Sequence, residues 1–439
     1  MTNMRDMVAL LTPEQRSELA RQIMRDSTEG AGKGAGAVPK AHYRLDHHPL
    51  WLGVLKSGET TGYQDPYFRS HEGIARDTTV IDGRELINFS NYNYLGLSGH
   101  PKVQAAASEA VQRYGTSVSA SRMVGGERPF HRELERKLAD IHGVEDALVF
   151  VSGYGTNVTA IAQLFGPKDL ILHDALIHNS VIMGSILSGA RRMPFRHNDW
   201  EQVDDFLRQH RRDYERVLIV VEGIYSMDGD FPDLPAFVEI RNRHKVFLMV
   251  DEAHSIGVMG KHGHGIREHF GLRGEDVDIW MGTLSKALAS CGGYVAGSFA
   301  LTSILRYTAP GFVFSVGQSP SNAAAALAAI DVMASEPERV EQLQQRGRYF
   351  LDLARKRGLP TGLSQGYSVV PLIVGDTPRC IKLTEALFRR GIHVQPILYP
   401  AVDERSVRLR FFLTCTHSEA QLNNAIAVIA EEWRAVRDA

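Results

Sequence analysis

The chain has 439 residues, of which 44% are hydrophobic and 23% charged, and its formal net charge is −2. A chain of this length buries a large core and has room for two or three domains. Its near-neutral charge gives no electrostatic reason to expect nucleic acid or an anionic membrane as partner.

The three cysteines are Cys291, Cys380 and Cys415. They are far apart and form no CxxC pair, so we expect neither a disulfide framework nor a metal site, and a reducing compartment fits. No signal-peptide pattern and no apolar run of about 18 residues is present, so a cytoplasmic protein is expected.

A helix is predicted from Thr12 to about Arg25, with Thr12 as N-cap, Pro13 in the first turn and Gln15 completing a capping box. Residues 29–39 are rich in glycine and alanine and predict a flexible linker. Residues 1–38 are therefore interpreted as a tethered extension. It is either a solvated tail or a docking element for a carrier protein or a neighbouring enzyme.

Apolar runs alternate with helical patterns in the central part of the chain, which favours a mostly parallel sheet with helices on both faces. The strand candidates are Ala147–Val151, Leu170–Leu172, Val217–Val221, Val246–Val250 and Val277–Met281. Residues with useful chemistry follow the carboxyl ends of these runs, where an open α/β sheet binds its ligand. After Ser335 a long helix, short strands and a terminal helix indicate a smaller α+β domain.

Lys286 follows the last of these strands and stands among small residues. A lysine that is desolvated there loses its proton readily and can hold an aldehyde cofactor as an imine. Asp251 ends an earlier apolar run, with His254 three residues on. An aspartate under a pyridine nitrogen keeps that nitrogen protonated, which makes the ring an electron sink.

Two further segments fit the same kind of site. Residues 150–157 run from a strand through Gly153 and Tyr154 into a helical pattern, so free backbone N–H groups can cradle a phosphate. His178 follows another strand and is suited to lie flat on a heteroaromatic ring. Each residue alone has an ordinary structural explanation, and only the combination points to a cofactor.

The combination resembles the pyridoxal-phosphate-dependent α-oxoamine synthases, from about Leu86 to His417. The matching blocks are Asn88-Phe89-Ser90, Tyr94-Leu95-Gly96-Leu97, Ser119-Ala120-Ser121-Arg122, Asp174-Ala175-Leu176 with His178, Phe195-Arg196-His197-Asn198-Asp199, Glu222-Gly223, Ser226-Met227-Asp228-Gly229-Asp230, Asp251-Glu252-Ala253-His254-Ser255, Thr283-Leu284-Ser285-Lys286, Gly292-Gly293-Tyr294 and Arg408-Leu409-Arg410.

The resemblance implies an α/β fold, the fold type I of pyridoxal-phosphate-dependent transferases, with a mostly parallel sheet in the large domain and a smaller α+β C-terminal domain. It implies a homodimer with active sites at the subunit interface. The expected division is residues 1–38 as helix and linker, 39–95 as a segment packing on the dimer, 96–335 as the pyridoxal-phosphate-binding domain and 336–439 as the small domain.

Site roles follow from the resemblance, residue by residue. Lys286 is implied as the imine lysine, Asp251 as the partner of the ring nitrogen and His178 as the stacking histidine. The other implied residues are His254 and Ser226 near the ring hydroxyl, Gly153, Tyr154 and Thr283 at the phosphate, Ser315 as a phosphate contact from the other subunit, Arg410 at the amino acid carboxylate, and Tyr92 and Ser121 at the substrate.

The implied reaction is a decarboxylative condensation of an L-amino acid with an acyl thioester, which yields an α-aminoketone, CO2 and a free thiol. Tyr92 stands where some members have asparagine, and Ala401 replaces a threonine that contacts substrate in some coenzyme A-using members. Residues 68–73 and 114–122, and residues 285–286 together with 290–294, look most like members associated with polyketide synthases. That likeness favours an acyl-carrier-protein donor and a role in natural-product biosynthesis.

Three alternatives stay open. The first is an acyl-coenzyme A-dependent member, such as an 8-amino-7-oxononanoate synthase, a glycine acetyltransferase or a serine palmitoyltransferase-like enzyme. The second is an aminotransferase of the same fold, and the third is an inactive partner subunit. The retained Lys286, Asp251 and His254 argue against the last of these. The amino acid and the acyl group are not determined by the sequence.

Overall fold

The computed structural model describes residues 38–53 and 66–437, together with Glu18, Arg21 and Gln22. Those three residues are helical, as the N-terminal pattern predicts. The rest of the predicted N-terminal helix, and the predicted linker up to residue 37, lie outside the described residues.

A seven-stranded sheet forms the centre of the molecule, in the order β3-β9-β8-β7-β6-β4-β5. Its strands are β3 (Asp146–Phe150), β4 (Leu170–Asp174), β5 (Arg191–Phe195), β6 (Val217–Glu222), β7 (Phe247–Asp251), β8 (Ile279–Thr283) and β9 (Gly293–Gly297). β9 pairs antiparallel with both β3 and β8, and the remaining pairs are parallel. The predicted fold type I α/β architecture with a mainly parallel sheet is confirmed.

Helices cover both faces of this sheet, which explains why its strands are apolar along their whole length. Every residue of β4, β6 and β8 is buried. The helices are α1 (Pro101–Tyr114), α2 (Pro129–His142), α3 (Gly153–Leu164), α4 (Asn179–Ser188), α5 (Trp200–His210), α6 (Leu234–His244), α7 (Gly265–Phe270), α8 (Phe299–Thr308), α9 (Pro310–Val313), α10 (Pro320–Ser335), α11 (Glu338–Lys356), α12 (Thr377–Arg389) and α13 (Glu419–Arg437).

Two strands of the sheet have no counterpart among the strand candidates. β5 contains two arginines and a proline, a composition that suits a strand at the edge of a sheet, where solvent reaches one side. β9 begins and ends with glycine. A Cβ on Gly293 would lie 2.6 Å from the Cα of Gly153, so the close approach of α3 to this strand excludes a side chain.

Two smaller sheets complete the described fold. β10 (Val369–Ile373), β13 (Arg408–Phe412) and β12 (Gln395–Ile397) form an antiparallel sheet in the order β10-β13-β12, near the predicted short strands. β1 (Thr78–Ile81) and β2 (Arg84–Asn88) form a hairpin, and β2 pairs in parallel with β11 (Ile392–His393). The segment before the large sheet is thus joined to the C-terminal region, while the predicted domain division stays a prediction.

None of the helices in the described part of the chain is long and apolar enough to cross a membrane. The carboxyl ends of β4, β6, β7 and β8 all open toward the same edge of the large sheet, because these strands are parallel. The loops that follow these ends therefore lie next to one another. This edge is where the side chains with useful chemistry converge.

Candidate active site

A pocket opens at the carboxyl edge of the large sheet. It is lined by Gly153, Tyr154, Asn157, His178, Ser180, Glu222, Asp251, Ala253, His254, Met281, Thr283 and Lys286. Seven residues predicted from the sequence are among them: Gly153, Tyr154, His178, Asp251, His254, Thr283 and Lys286. The structure therefore brings together in one pocket residues that are more than 130 positions apart in the chain.

Lys286 places its amine in this pocket, close to two carboxylates. Burial lowers the pKa of Lys286 to about 8, although Asp251 and Glu222 raise it in part. At neutral to mildly alkaline pH a substantial fraction of the amine is then unprotonated. A neutral amine is what attack on a carbonyl carbon requires.

Asp251 is 4% exposed at the end of β7, yet the hydrogen-bond partners that the structure gives it are neutral. The Asn157 side-chain amide donates to its Oδ2 at 2.8 Å, and the Ala253 backbone N–H donates to its Oδ1 at 2.9 Å. A buried carboxylate that accepts no hydrogen bond from a cation, as is true of Asp251 within the described residues, carries a desolvation cost that a cationic ligand in direct contact offsets. A protonated ring nitrogen supplies such a cation.

A hydrogen-bonded relay joins Asp251 to His178. The Asn157 amide also donates to Ser180 Oγ at 2.9 Å, and Ser180 Oγ lies 2.6 Å from His178 Nδ1. The Ser180 backbone N–H donates to the same nitrogen at 3.3 Å, so Nδ1 is an acceptor and Nε2 carries the hydrogen. The relay fixes the orientation of the imidazole at the mouth of the pocket.

The amino end of α3 forms one side of the pocket and suits an anion. Ser152 caps the helix by accepting the Gly155 N–H at 3.1 Å, which leaves the first N–H groups free to point at a ligand. A Cβ on Gly153 would lie 2.8 Å from Thr283 Oγ1. Glycine is therefore required here, because backbone and threonine hydroxyl approach closely where a phosphate would sit.

An aromatic wall closes the pocket from the side of the C-terminal region. The Tyr94 hydroxyl oxygen lies 2.8 Å from His254 Nδ1. The rings of His254 and Phe412 are nearly parallel, with their centroids 6.3 Å apart. Burial lowers the pKa of His254 well below its ordinary value, so the imidazole is neutral. Tyr92 is 39% exposed, and Lys286 Nζ lies 5.6 Å from the centroid of its ring.

Arg410, on β13, is close to this wall, and no acidic side chain among the described residues forms an ion pair with it. Its Nη1 donates to the Ser226 carbonyl at 3.1 Å, and its buried Nε has no hydrogen-bond partner within the described residues. Arg408, two residues earlier, pairs with Asp228 at 2.7 Å. The free donors of Arg410 are thus suited to an external carboxylate.

Five residues implied by the resemblance are not among the lining residues of this pocket: Tyr92 and Arg410, which lie at the aromatic wall, and the three serines Ser121, Ser226 and Ser315. Ser226 is buried in the neighbouring turn and donates its backbone N–H to Glu222. Ser121 and Ser315 lie together in a separate, open hollow bordered by the exposed Val124 and Phe314. Their contacts with substrate and with the other subunit's phosphate stay predictions.

Residues missed in the sequence analysis also contribute. Asn157 and Ser180 form the relay, and Glu222, 2% exposed, accepts the backbone N–H of His178 at 2.7 Å. Burial raises the pKa of Glu222 well above its usual range, and Asp251, its register partner on β7, raises it further. Glu222 lies at the carboxyl end of a strand, as Asp251 does, and this position is the sequence signal by which it could have been predicted. Asn157 lies inside a helix, where no such signal distinguishes it.

A larger cavity of about 670 Å³ lies at the opposite edge of the sheet, near the first residues of β7 and β8. Charged groups there satisfy each other, as in the pair of Arg241 and Asp278 at 2.6 Å. Its lining residues, within the described part of the chain, include no lysine or histidine. The predicted lysine and histidines lie instead in the pocket at the carboxyl edge.

Comparison with known proteins agrees with this geometry. The family model "Aminotransferase class I and II" matches residues 84–429. The 8-amino-7-oxononanoate synthase of Symbiobacterium thermophilum is 40% identical over 82% of this chain and 91% of its own. The chain belongs to the α-oxoamine synthases of this family. Another 8-amino-7-oxononanoate synthase, from Bacillus subtilis, is 37% identical over 86% of this chain and 95% of its own.

The fold of this α-oxoamine synthase is also that of a solved relative. Serine palmitoyltransferase from S. paucimobilis, determined with a bound PLP–myriocin aldimine, superposes with a TM-score of 0.85 at 28% identity, over 90% of this chain and 100% of that one. The protein is a pyridoxal-phosphate-dependent C-acyltransferase that condenses an amino acid with an acyl thioester. Its pocket fits the cofactor, since it has a buried lysine of lowered pKa, a buried aspartate whose hydrogen-bond partners among the described residues are neutral, and a helix amino end suited to an anion.

The lowered pKa of Lys286 leads to a test on the cofactor-free protein. We expect the rate at which trinitrobenzenesulfonate labels Lys286, followed by mass spectrometry, to rise with a midpoint near pH 8. Asp251→Asn moves this midpoint to lower pH, because it removes a carboxylate that stabilises the ammonium form. Labelling of the exposed Lys245 serves as the control within each sample. A midpoint that rises in Asp251→Asn contradicts the assigned electrostatics.

Proposed function

We propose that this α-oxoamine synthase joins the α-carbon of an L-amino acid to the acyl carbon of a thioester, with loss of CO2, and releases an α-aminoketone and a free thiol. The observation that carries the proposal is the single pocket in which Lys286, Asp251 and His178 meet. We propose further that the enzyme works as a homodimer, with Ser315 of one subunit at the site of the other.

When bound, pyridoxal phosphate withdraws electrons from the α-carbon of the amino acid and so stabilises the carbanion that attacks the thioester. Lys286 would hold the cofactor in the resting enzyme, and its neutral Nζ would take the α-proton of the amino acid. Asp251 would keep the ring nitrogen protonated. His178, oriented by Ser180, would contact the ring and offer its Nε2–H to the substrate oxygen.

Arg410 and the aromatic wall hold the amino acid. The free donors of Arg410 bind its carboxylate, and Tyr92 borders the space for its side chain. This arrangement orients the α-hydrogen toward Lys286, so that positioning rather than further acid–base chemistry supplies much of the rate. Tyr92, which replaces the asparagine of some members, sets how large that side chain is.

For the acyl donor, we favour a coenzyme A thioester, the alternative that the named relatives support better than a carrier protein. The name 8-amino-7-oxononanoate describes an α-aminoketone, and the bond between its carbons 7 and 8 is the one that such a condensation makes. By the same chemistry, alanine and a seven-carbon ω-carboxyacyl thioester give that product. They are the first pair to test.

A carrier-protein donor, with a role in natural-product biosynthesis, remains the second candidate. It is favoured by Ala401 in place of a threonine that contacts substrate in some coenzyme A-using members, and by the likeness of residues 114–122 to polyketide-associated enzymes. In that case residues 1–38 are a docking segment. An aminotransferase would form a keto acid instead, and an inactive subunit would not need a reactive lysine in its pocket.

The reaction is tested by mixing the holoenzyme with single amino acids and acyl thioesters and measuring CO2 and free thiol. We expect both in equal amounts. Lys286→Ala lowers kcat by about 1,000-fold or more, since it removes the group that moves the proton. It also abolishes the absorbance band at about 420 nm of the lysine-bound cofactor. A keto acid without thiol would identify an aminotransferase, and an active Lys286→Ala would refute the role of the lysine.

Arg410→Gln is expected to raise KM for the amino acid by about 10- to 100-fold, the effect of one lost charged hydrogen bond. KM for the thioester and the affinity for the cofactor change little, because neither contacts this arginine in the proposal. Steady-state kinetics with each substrate varied in turn provide the measurement. Arg405→Gln, at an exposed position in the same region, is the control. An equal rise in both KM values contradicts the assignment.

The donor is tested by offering one acyl group on coenzyme A and on an acyl carrier protein. For a coenzyme A enzyme we expect kcat/KM at least about 10-fold higher with the coenzyme A thioester. Removing residues 1–38 then leaves turnover unchanged with it. Faster reaction with the carrier-bound acyl group, lost on removing residues 1–38, would instead establish the carrier-protein donor.

A further inference from the structure

Two loops carry His178, which lines the pocket, and Ser226, which is buried in the turn beside it, and neither loop has regular secondary structure of its own. The first loop runs from Ala175 to His178 after Asp174, the last residue of β4, and the second runs from Gly223 to Asp230 after Glu222, the last residue of β6. A loop holds a side chain in place only as well as its own contacts allow. The groups that join the two loops therefore matter for the geometry of the site.

Glu222 joins the loops on the side of the pocket. One oxygen of its carboxylate accepts the His178 N–H at 2.7 Å, and the other accepts the Ser226 N–H at 3.2 Å. A single buried side chain thus anchors the backbone of both functional residues. Glu222 thereby holds the backbones of His178 and Ser226 close to each other on the side of the loops that faces the pocket.

His197 joins the same loops on the far side, away from the pocket. Its Nδ1 lies 2.9 Å from Asp174 Oδ1, and its Nε2 lies 2.8 Å from Asp230 Oδ2. Each ring nitrogen faces a carboxylate oxygen, so both nitrogens donate and the ring is an imidazolium. Burial opposes this charge, but the hydrogen bonds to Asp174 and Asp230 raise the pKa of His197 to about 10.

The carboxylates that His197 joins also shape the loops. Asp174 accepts the Leu176 N–H at 2.8 Å, two residues before His178. Asp174 and Asp230 are 0% and 3% exposed, so protein donors replace water at both. The Asn198 backbone N–H donates to Asp174 Oδ2 at 2.8 Å and its side-chain amide to Asp230 Oδ2 at 2.9 Å, while His197 is the charged partner that the described residues give to both carboxylates. Without the imidazolium they would face each other as two buried like charges. The contact thus holds the loops together across their far side.

We propose that His197 is a positioning residue, which clamps the two loops so that His178 and Ser226 meet the ring of the cofactor. The inference rests on the proposed function, because it takes both residues to be cofactor contacts. His197 itself does not line the pocket. The phosphate cradle at Gly153 and Thr283 belongs to other elements, α3 and β8, and does not depend on the clamp.

Because the two loops and the phosphate cradle belong to different elements, binding to the ring site and binding to the cradle can be measured separately. The probes are 4′-deoxypyridoxine 5′-phosphate, which has the ring and the phosphate but no aldehyde, and inorganic phosphate, which occupies the cradle alone. In His197→Gln we expect the dissociation constant of the ring probe to rise by about 10-fold, the effect of a lost charged hydrogen bond. The dissociation constant of inorganic phosphate stays within about twofold, because the cradle is independent.

Two further variants sharpen the result. Asp230→Asn in the His197→Gln protein removes one of the opposed carboxylates and is expected to restore part of the affinity for the ring probe. His210→Gln is the matched control, since His210 is exposed and contacts a single carboxylate, Asp213, at 3.0 Å. It should leave both dissociation constants unchanged.

Each outcome decides something. Unchanged affinity for the ring probe in His197→Gln overturns the proposal, as does an equal loss for both probes, which indicates a general structural role. If His197→Gln does not fold, Asp230→Asn alone, which breaks one of the two contacts, must still weaken the ring probe, or the proposal fails. A wild-type protein that binds neither probe would instead overturn the proposed function.

Discussion

The structure depends on one constraint: the Lys286 amine has to lose its proton although the two acidic side chains beside it favour its protonated form. Glu222 and Asp251 are register partners at the ends of β6 and β7, and both face the pocket of Lys286. Burial keeps the pKa of the lysine at about 8 despite them. The parallel sheet is what allows this, since it delivers all three side chains to one edge from rigid strands.

Polar contacts, rather than apolar packing, set the fine geometry of the site. The side-chain amide of Asn157 donates hydrogen bonds to both Asp251 and Ser180, and Ser180 in turn orients His178. Such networks are valuable when every member is satisfied and costly when one is lost. This explains why so many fully buried polar groups surround a pocket whose scaffold is otherwise built from valine, leucine and isoleucine.

The substrate side of the site has a different origin. Arg410 and Phe412 come from β13 in the C-terminal region, and Tyr92 follows β2, which pairs with β11 of that region. The cofactor side belongs to the large sheet. If Arg410 and Tyr92 bind the amino acid as proposed, changes in the C-terminal region would alter what is bound without altering the surroundings of the lysine, which is how one fold serves several substrates.

Local pattern was enough to predict the framework and seven of the residues that line the pocket. Lys286, Asp251 and His178 each follow an apolar run, and Gly153 opens a helix after one, so their common position at a sheet edge could be inferred from the chain. Only the tertiary structure decided the rest. Asn157 lies within a helix, β9 runs against its neighbours, and the edge strand β5 carries arginines, because these features depend on what packs beside them rather than on adjacent residues.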